Sequence, residues 1–386
     1  MKNITDDIVY VGVDDLDIDL FESQYDVPNG MCYNSYLIKD DKYVLMDSVD
    51  KRKMNEWLSN IEQALSGHTL DYIVISHLEP DHSSSLGELC KKYPDAKLVS
   101  NAKTFELLPQ FFTIDNIEDR KIVVDEITEF STGNHSFRFY MAPMVHWPEV
   151  MFTYDQTDKV LFSADAFGKF GSMDADEEWA CEARRYYFNI CGKYGMQVQV
   201  ILKKVGGLDI QTICPLHGPI LTENLEYYIG LYDIWSKYEV EAEGVFIAYA
   251  SIHGNTKRAA LKLKEILEQK GCPKVSIADI TREDMHEAVE DCFKYGKIVF
   301  AASSYNFRVF PPMEHLLTLL RDKNYQKRRV GIIENGTWAP SAAKTMLEII
   351  GGMKEIEVVE PKVTIKTTMT EANIKQMEEL ADNLLK

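Results

Sequence analysis

The chain has 386 residues, 45% hydrophobic and 27% charged, a normal balance for a globular protein and more length than one core usually organises, so two domains are expected. A formal net charge of −19 disfavours nucleic acid as a partner. No apolar run is long enough to span a membrane, Met1 to Asp6 lack the basic and apolar regions of a signal peptide, and the seven scattered cysteines form no Cys-x-x-Cys. A cytoplasmic protein with reduced thiols is expected, without zinc ribbons, rubredoxin-type or iron–sulfur sites.

In chain order, residues 1 to about 50 predict short strands at Ile8–Val13, Tyr33–Ile38 and Tyr43–Met46, with turns at Asn29-Gly30 and Asp40-Asp41. Lys51–Ser66 has helical apolar spacing through Met54, Trp57, Leu58, Ile61 and Leu65. Tyr72-Ile73-Val74-Ile75 reads as a buried strand running into Ser76-His77-Leu78-Glu79-Pro80-Asp81-His82. Pro80 predicts a loop there instead of a helix. Two imidazoles and two carboxylates within six residues are costly to gather unless a cation offsets them. Metal is the expected cation, and more than one ion, because four ligands on one short loop cannot all close around one centre.

A helix is expected near Ser84–Tyr93, then strands near Lys121–Val124, Phe137–Met141, Val150–Tyr154 and Val160–Phe162. His146, Asp165 and His217 each follow or end a largely apolar run, with Pro or Gly nearby to open a loop. Strands of one sheet place their ends side by side, so these ligand types can converge with the first loop. Residues 174–205 read as helical and rich in aromatics, a stripe expected in core or interface; for Tyr194 there, and for Tyr25 earlier, packing is expected ahead of a place beside the metals.

The polar stretch from Ser236 to Gly244 reads as a domain junction, giving domains 1–244 and 245–386. After it the pattern resets to a buried strand, Val245–Ala250, and a helix near Lys257–Lys270. Strands near Lys274–Ala278, Lys297–Ala302, Arg329–Ile333 and Ile356–Val359 alternate with further helices. Such alternation predicts a doubly wound parallel sheet. Ser251-Ile252-His253-Gly254-Asn255-Thr256 between its first strand and helix supplies hydroxyls and free N–H groups at a helix start, a cradle for phosphate. It is neither G-x-G-x-x-G nor G-x-x-x-x-G-K, which disfavours dinucleotide and P-loop readings.

The order His77-x-Glu79-x-Asp81-His82, then His146, Asp165 and His217, resembles the metallo-β-lactamase-like domain of flavodiiron proteins. Hydrolytic zinc members of that fold usually carry His where this chain has Glu79, and imidazole plus carboxylate without cysteine suits non-haem iron. The resemblance implies an αββα sandwich in which one iron takes His77, Glu79 and His146, the other takes Asp81 and His217, and Asp165 bridges. The residue matching His82 is a ligand in some members and turned away in others. The loop Ser251–Thr256 resembles the flavodoxin phosphate loop, which implies FMN, with Ser251, His253, Gly254, Asn255 and Thr256 around the phosphate. Ser303, Tyr305, Asn306 and Phe307 on one later strand end, and Asn335, Gly336, Thr337 and Trp338 on another, fall where flavodoxins contact the isoalloxazine. The first of these loops departs from the Gly-Trp pattern commonest in flavodiiron proteins.

The resemblance further implies reduction of O₂ to water, of NO to N₂O, or both, in a head-to-tail homodimer or dimer of dimers, with rubredoxin or a reduced deazaflavin as donor. Two readings from other classes stand beside it: a hydrolase of the same fold with an appended flavin module, and a non-catalytic electron carrier with a structural metal. Residues 1–244 carry 21 Lys+Arg against 42 Asp+Glu, a balance of −21, whereas residues 245–386 carry 21 against 19, a balance of +2. Without a Cys-x-x-Cys, the electrons are expected from a separate, small acidic partner, docking near Arg321, Lys323, Lys327, Arg328 and Arg329.

Overall fold

Apolar segments too short to bury themselves pair edge to edge into two sheets. β1 (Lys2–Asn3), β2 (Ile8–Tyr10), β3 (Tyr36–Ile38), β4 (Val44–Met46), β5 (Tyr72–Val74), β6 (Lys97–Ser100) and β7 (Lys121–Val123) form the first, in that order. β8 (Phe130–Ser131), β9 (Ser136–Met141), β10 (Met151–Asp155), β11 (Val160–Phe162) and β12 (Thr212–Cys214) form the second, also in order. Side chains alternate across a strand. Tyr36, Ile38, Val44 and Met46 of one sheet therefore meet Phe137, Phe139, Met151 and Phe162 of the other in a shared core. Helices such as α1 (Met54–Leu65), which buries Trp57, Ile61 and Leu65, complete a metallo-β-lactamase-like αββα sandwich.

The computed structural model describes residues 2–386, which divide into two compact units. The sandwich takes the residues up to Tyr187 and Met196–Asp233; the second unit takes Phe188–Gly195 and Ile234–Lys386. In the second unit β13 (Ala242–Ala250), β14 (Val275–Asp279), β15 (Tyr295–Tyr305), β16 (Gln326–Asn335) and β17 (Lys354–Ile365) form a sheet of order β14-β13-β15-β16-β17. Every pairing along that path is parallel. This is the flavodoxin-like doubly wound order, with the chain reversing direction across the sheet beside β13. Val245, Ile247, Val299, Ile333 and Val363 meet Leu263, Leu267, Met377 and Leu380 from helices on one face in a single core. No helix of the described residues is long and apolar enough to cross a membrane.

Four expectations differ from the structure. The run Tyr33–Ile38 is two strands, because Asn34 and Ser35 turn inward. Asn34 Nδ2 donates to the carbonyls of Pro215 and Gly218, both at 2.9 Å, and the Ser35 hydroxyl to that of Met46 at 3.0 Å. Pro80 does not prevent a helix but starts one: α2 (Pro80–Ser83) is a single turn with proline at its first position, where the missing N–H costs nothing. The helix expected over 174–205 is broken, and Phe188 stacks on Phe293 at 4.0 Å in the second unit. Finally, Arg328 is not on the surface. It is 1% exposed and its guanidinium donates to the carbonyls of Tyr238, Glu239, Gln326, Lys327 and Phe293, so it cannot belong to a docking face.

Candidate metal centre and flavin cleft

β5 lies between β4 and β6 with both pairings parallel, and its end delivers the ligand-rich loop. The loop is pinned by its own backbone. Asp47 accepts from Ser76 N at 2.6 Å, Ser83 Oγ donates to the Leu78 carbonyl at 2.6 Å, and Ser48 Oγ donates to the His82 carbonyl at 2.7 Å. His146 comes from the connection between β9 and β10, Asp165 from the turn after β11, and His217 from the turn after β12, which is parallel to β11. Gly218, at φ +77, lies against Lys169, and an added Cβ there would stand 2.8 Å from the Lys169 side chain.

The seven residues form two adjoining groups, His77, Glu79, His146 and Asp165 in one, and Asp81, His82 and His217 in the other. Glu79 Oε2 lies 3.3 Å from His77 Nε2 and 3.0 Å from His146 Nε2. Asp81 Oδ2 lies 3.2 Å from His82 Nε2 and 3.1 Å from His217 Nε2. Asp165 divides its two oxygens between the groups. Oδ2 is 3.3 and 3.1 Å from the Nε2 atoms of His77 and His146, and Oδ1 is 3.1 and 3.8 Å from those of His82 and His217.

Two of the imidazoles have their tautomer set from behind. His77 Nδ1–H donates to Glu149 Oε1 at 2.8 Å, and His217 Nδ1–H donates to the Cys32 carbonyl at 2.7 Å. Each bare Nε2 lone pair then faces carboxylate oxygens, an unfavourable pairing unless a cation lies between them. Protons compete for the same lone pairs. Burial disfavours the charged imidazolium of His77, yet Asp165, Glu149 and Glu79 outweigh it and raise its pKa well above normal. The same contest lifts His146 to about 9 and raises His82. Burial would likewise protonate Asp165, but His77, His82 and His146 hold it well below the carboxylate range. Both Asp81 oxygens and Asp165 Oδ1 are nonetheless buried without a hydrogen-bond donor. A donor set of imidazoles and carboxylates with buried, unspent lone pairs fits a pair of non-haem metal ions.

Glu149 and the Cys32 carbonyl escaped the sequence reading. A glutamate opening an apolar strand three residues after His146 was the available signal, whereas a backbone carbonyl leaves none. Tyr186 was also missed. It is buried, its ring lies 5.5 Å from that of His217, and burial together with Asp165, Asp81 and Glu79 pushes its hydroxyl pKa well up. Tyr25 is near as well, its hydroxyl pushed up by burial, Glu22 and Glu79, whereas Tyr194 belongs to the second unit.

In the second unit the ends of β13, β15 and β16 enclose a cleft of about 520 Å³, within the range of cofactor pockets. His253, Asn255, Thr256, Ser303, Tyr305, Asn306, Phe307, Asn335, Gly336, Thr337 and Trp338 all line it. Ser251 supports the loop instead, its hydroxyl accepting from Gly254 N at 3.1 Å, with Gly254 at φ +84. Thr256 Oγ1 and Ser303 Oγ lie 2.9 Å apart and tie the first loop to the second. Thr367 was not foreseen. Its hydroxyl donates to Thr337 Oγ1 at 2.8 Å from the loop after β17.

Comparison with known proteins agrees. Residues 31–218 match the family model described as ODP family beta lactamase. A nitric oxide reductase of Moorella thermoacetica is 29% identical over 94% of this chain and 92% of its own length. The flavodiiron protein of Giardia intestinalis superposes with a TM-score of 0.91 at 25% identity, over 99% of this chain and 95% of that one. The chain resembles flavodiiron proteins over nearly its whole length. Rubredoxin oxygen:oxidoreductase of Desulfovibrio gigas is equally similar, with a TM-score of 0.91 at 25% identity over 99% and 97% of the two chains. An anaerobic nitric oxide reductase flavorubredoxin of Escherichia coli is 26% identical over 88% of this chain and 73% of its own length. The resemblance to flavodiiron proteins implies iron and a flavin.

Proposed function

We propose that this flavodiiron protein reduces O₂ to water, NO to N₂O, or both, at two non-haem irons in the part spanning residues 1–244, with electrons supplied through FMN in residues 245–386. The observation that carries the reading is Asp165, whose two oxygens face two separate imidazole–carboxylate groups at about equal distance. His77, Glu79 and His146 would hold one ion, Asp81, His82 and His217 the other, and Asp165 would bridge. When bound, the irons supply open positions for a diatomic molecule and the flavin supplies paired electrons.

The chain's own residues then have three tasks. Glu149 and the Cys32 carbonyl keep Nδ1 of His77 and His217 protonated, so that both rings present Nε2 to the centre. Phe21, Phe170 and Tyr186 wall the His217 side with edge-on and tilted ring contacts and exclude water. The Thr256 and Ser303 hydroxyls, with the N–H groups opening α3 (Asn255–Gln269), would receive the FMN phosphate. Trp338 and Phe307, 83% and 79% exposed in a single chain, would flank the ring and be covered by the partner in a head-to-tail dimer, or within a dimer of dimers.

A rubredoxin-type protein or reduced deazaflavin is the proposed donor. Metal and flavin analysis of anaerobically purified protein, with parallel O₂ and NO consumption assays, tests the reading. About two irons and one FMN per chain with donor-dependent consumption are expected. Stoichiometric zinc without flavin would overturn it in favour of a hydrolase. Two irons and FMN without consumption of either gas would favour an electron carrier.

A further inference from the structure

His146 and Asp165 leave one end of the strands β9, β10 and β11, from the β9–β10 connection and the turn after β11. At the other end lie His135, just before β9, Asp155, the last residue of β10, and Asp158, in the turn to β11. β10 is five residues long, so the two ends are about 15 Å or more apart. Each of these three residues offers a ligand atom within 4.8 Å of the other two.

His135 repeats the wiring seen at His77. It is 1% exposed, and its Nδ1 is paired with the fully buried carboxylate of Asp155 at 2.7 Å. The other Asp155 oxygen accepts from Thr157 N at 3.0 Å. His135 Nε2 is buried and has no hydrogen-bond partner. It faces Asp7 Oδ2 at 3.7 Å, across from the β1–β2 turn of the other sheet. That span is too long for a hydrogen bond. It is the span expected of two donors that share an ion about 2.0–2.2 Å from each. Asp40, also close, is not available. Its oxygens already accept from Asn134 N and Nδ2, His135 N and Thr132 Oγ1.

We propose that His135 Nε2, Asp7 and Asp158 bind one divalent transition-metal ion of the zinc type, with Asp155 as the positioning carboxylate and water completing the shell. The ion would join the β1–β2 turn to the β10–β11 turn and so clasp the two sheets at the end away from the iron. Asp7 is 55% exposed, which leaves an entry path from solvent. One imidazole with carboxylates suits zinc, cobalt or nickel better than calcium or magnesium. The competing occupant is a proton on His135, which Asp155, Asp158 and Asp40 favour over the opposing effect of burial.

The test is equilibrium dialysis of iron- and flavin-loaded protein against Zn²⁺, with iron and zinc measured together. One zinc per chain beyond an unchanged iron content is expected. Asp7→Asn and Asp158→Asn should each weaken that zinc by about 10-fold or more, and Asp155→Asn by about 10- to 100-fold. Asp7 is half-exposed, so its variant keeps the fold, and its melting temperature should no longer rise with zinc as the wild type's does. No zinc beyond iron, zinc gained only as iron is lost, or equal uptake by wild type and the Asp7 and Asp158 variants would each overturn the proposal and leave His135 as a protonated partner of Asp155.

Discussion

His82 Nε2 and His217 Nε2 face each other at 2.9 Å, with Asp81 Oδ2 within 3.2 Å of both. Since His217 spends its Nδ1 proton on the Cys32 carbonyl, the facing nitrogen carries a lone pair. Two ring nitrogens and a carboxylate aimed at one point call for a single shared cation. His82 thus points into the second group in this chain. We predict that His82→Ala lowers iron from about two to about one per chain while FMN stays bound. Metal analysis beside a released-flavin assay decides it, and two irons retained would remove His82 from the ligand set.

Glu149 is not among the predicted ligands yet sets the ring of one of them, accepting from both His77 Nδ1 and Leu78 N. Glu149→Gln keeps the shape and removes the charge behind the imidazole. Metal affinity should fall by about 10- to 100-fold. Competition with a graded series of chelators would read the change, and an unchanged affinity would reduce Glu149 to a packing role.

In the flavin cleft, Thr256→Val removes the hydroxyl that meets Ser303 without changing side-chain shape. A lost hydrogen bond to a charged phosphate is worth about 1.5–3 kcal/mol, so the FMN Kd should rise by roughly 10- to 100-fold. Iron content should not change. Fluorescence titration of flavin-stripped protein with FMN gives the Kd directly.

Asp40 predicts an acid response. Partial burial would raise its carboxyl, but the N–H groups of Asn134 and His135 and the Thr132 hydroxyl hold it well below the ordinary range. A depressed folded-state pKa gives stability that is complete above the unfolded value, near pH 4, and is lost as pH falls through the folded value. Asp40→Asn should therefore melt lower than wild type at pH 7, and the gap should narrow as pH falls below about 4. A constant gap across that window would contradict the assignment.

Arg328 carries the packing between β16 and the segment that enters β13. Its five carbonyl acceptors would lose their donor in Arg328→Met, and each buried unpaired group costs about 1–3 kcal/mol. A loss of at least about 3 kcal/mol is expected in denaturant unfolding of the flavin-bound protein. Arg321, exposed and paired with its neighbour Asp322, should tolerate alanine with little effect.

The sequence alone determined the order of elements, both folds and the full roster of convergent ligand types, because these follow from local patterns. Apolar runs of strand length, loop-opening Pro and Gly, and alternating strand and helix are each readable within a dozen residues. It also located eleven of the residues lining the flavin cleft, since in a doubly wound sheet the strand ends at the reversal point must face the ligand. Tertiary structure alone decided what depends on contacts between distant segments. Asp165 faces imidazoles of both groups because β11 brings it between residues from other loops, and no spacing encodes which oxygen faces which imidazole. Glu149 behind His77 and the Cys32 carbonyl behind His217 are fixed across 72 and 185 residues of chain. Arg328 shows the reverse case. Within a run of basic residues nothing local distinguishes a solvated charge from a buried one, and only the carbonyls gathered around it by packing made burial possible.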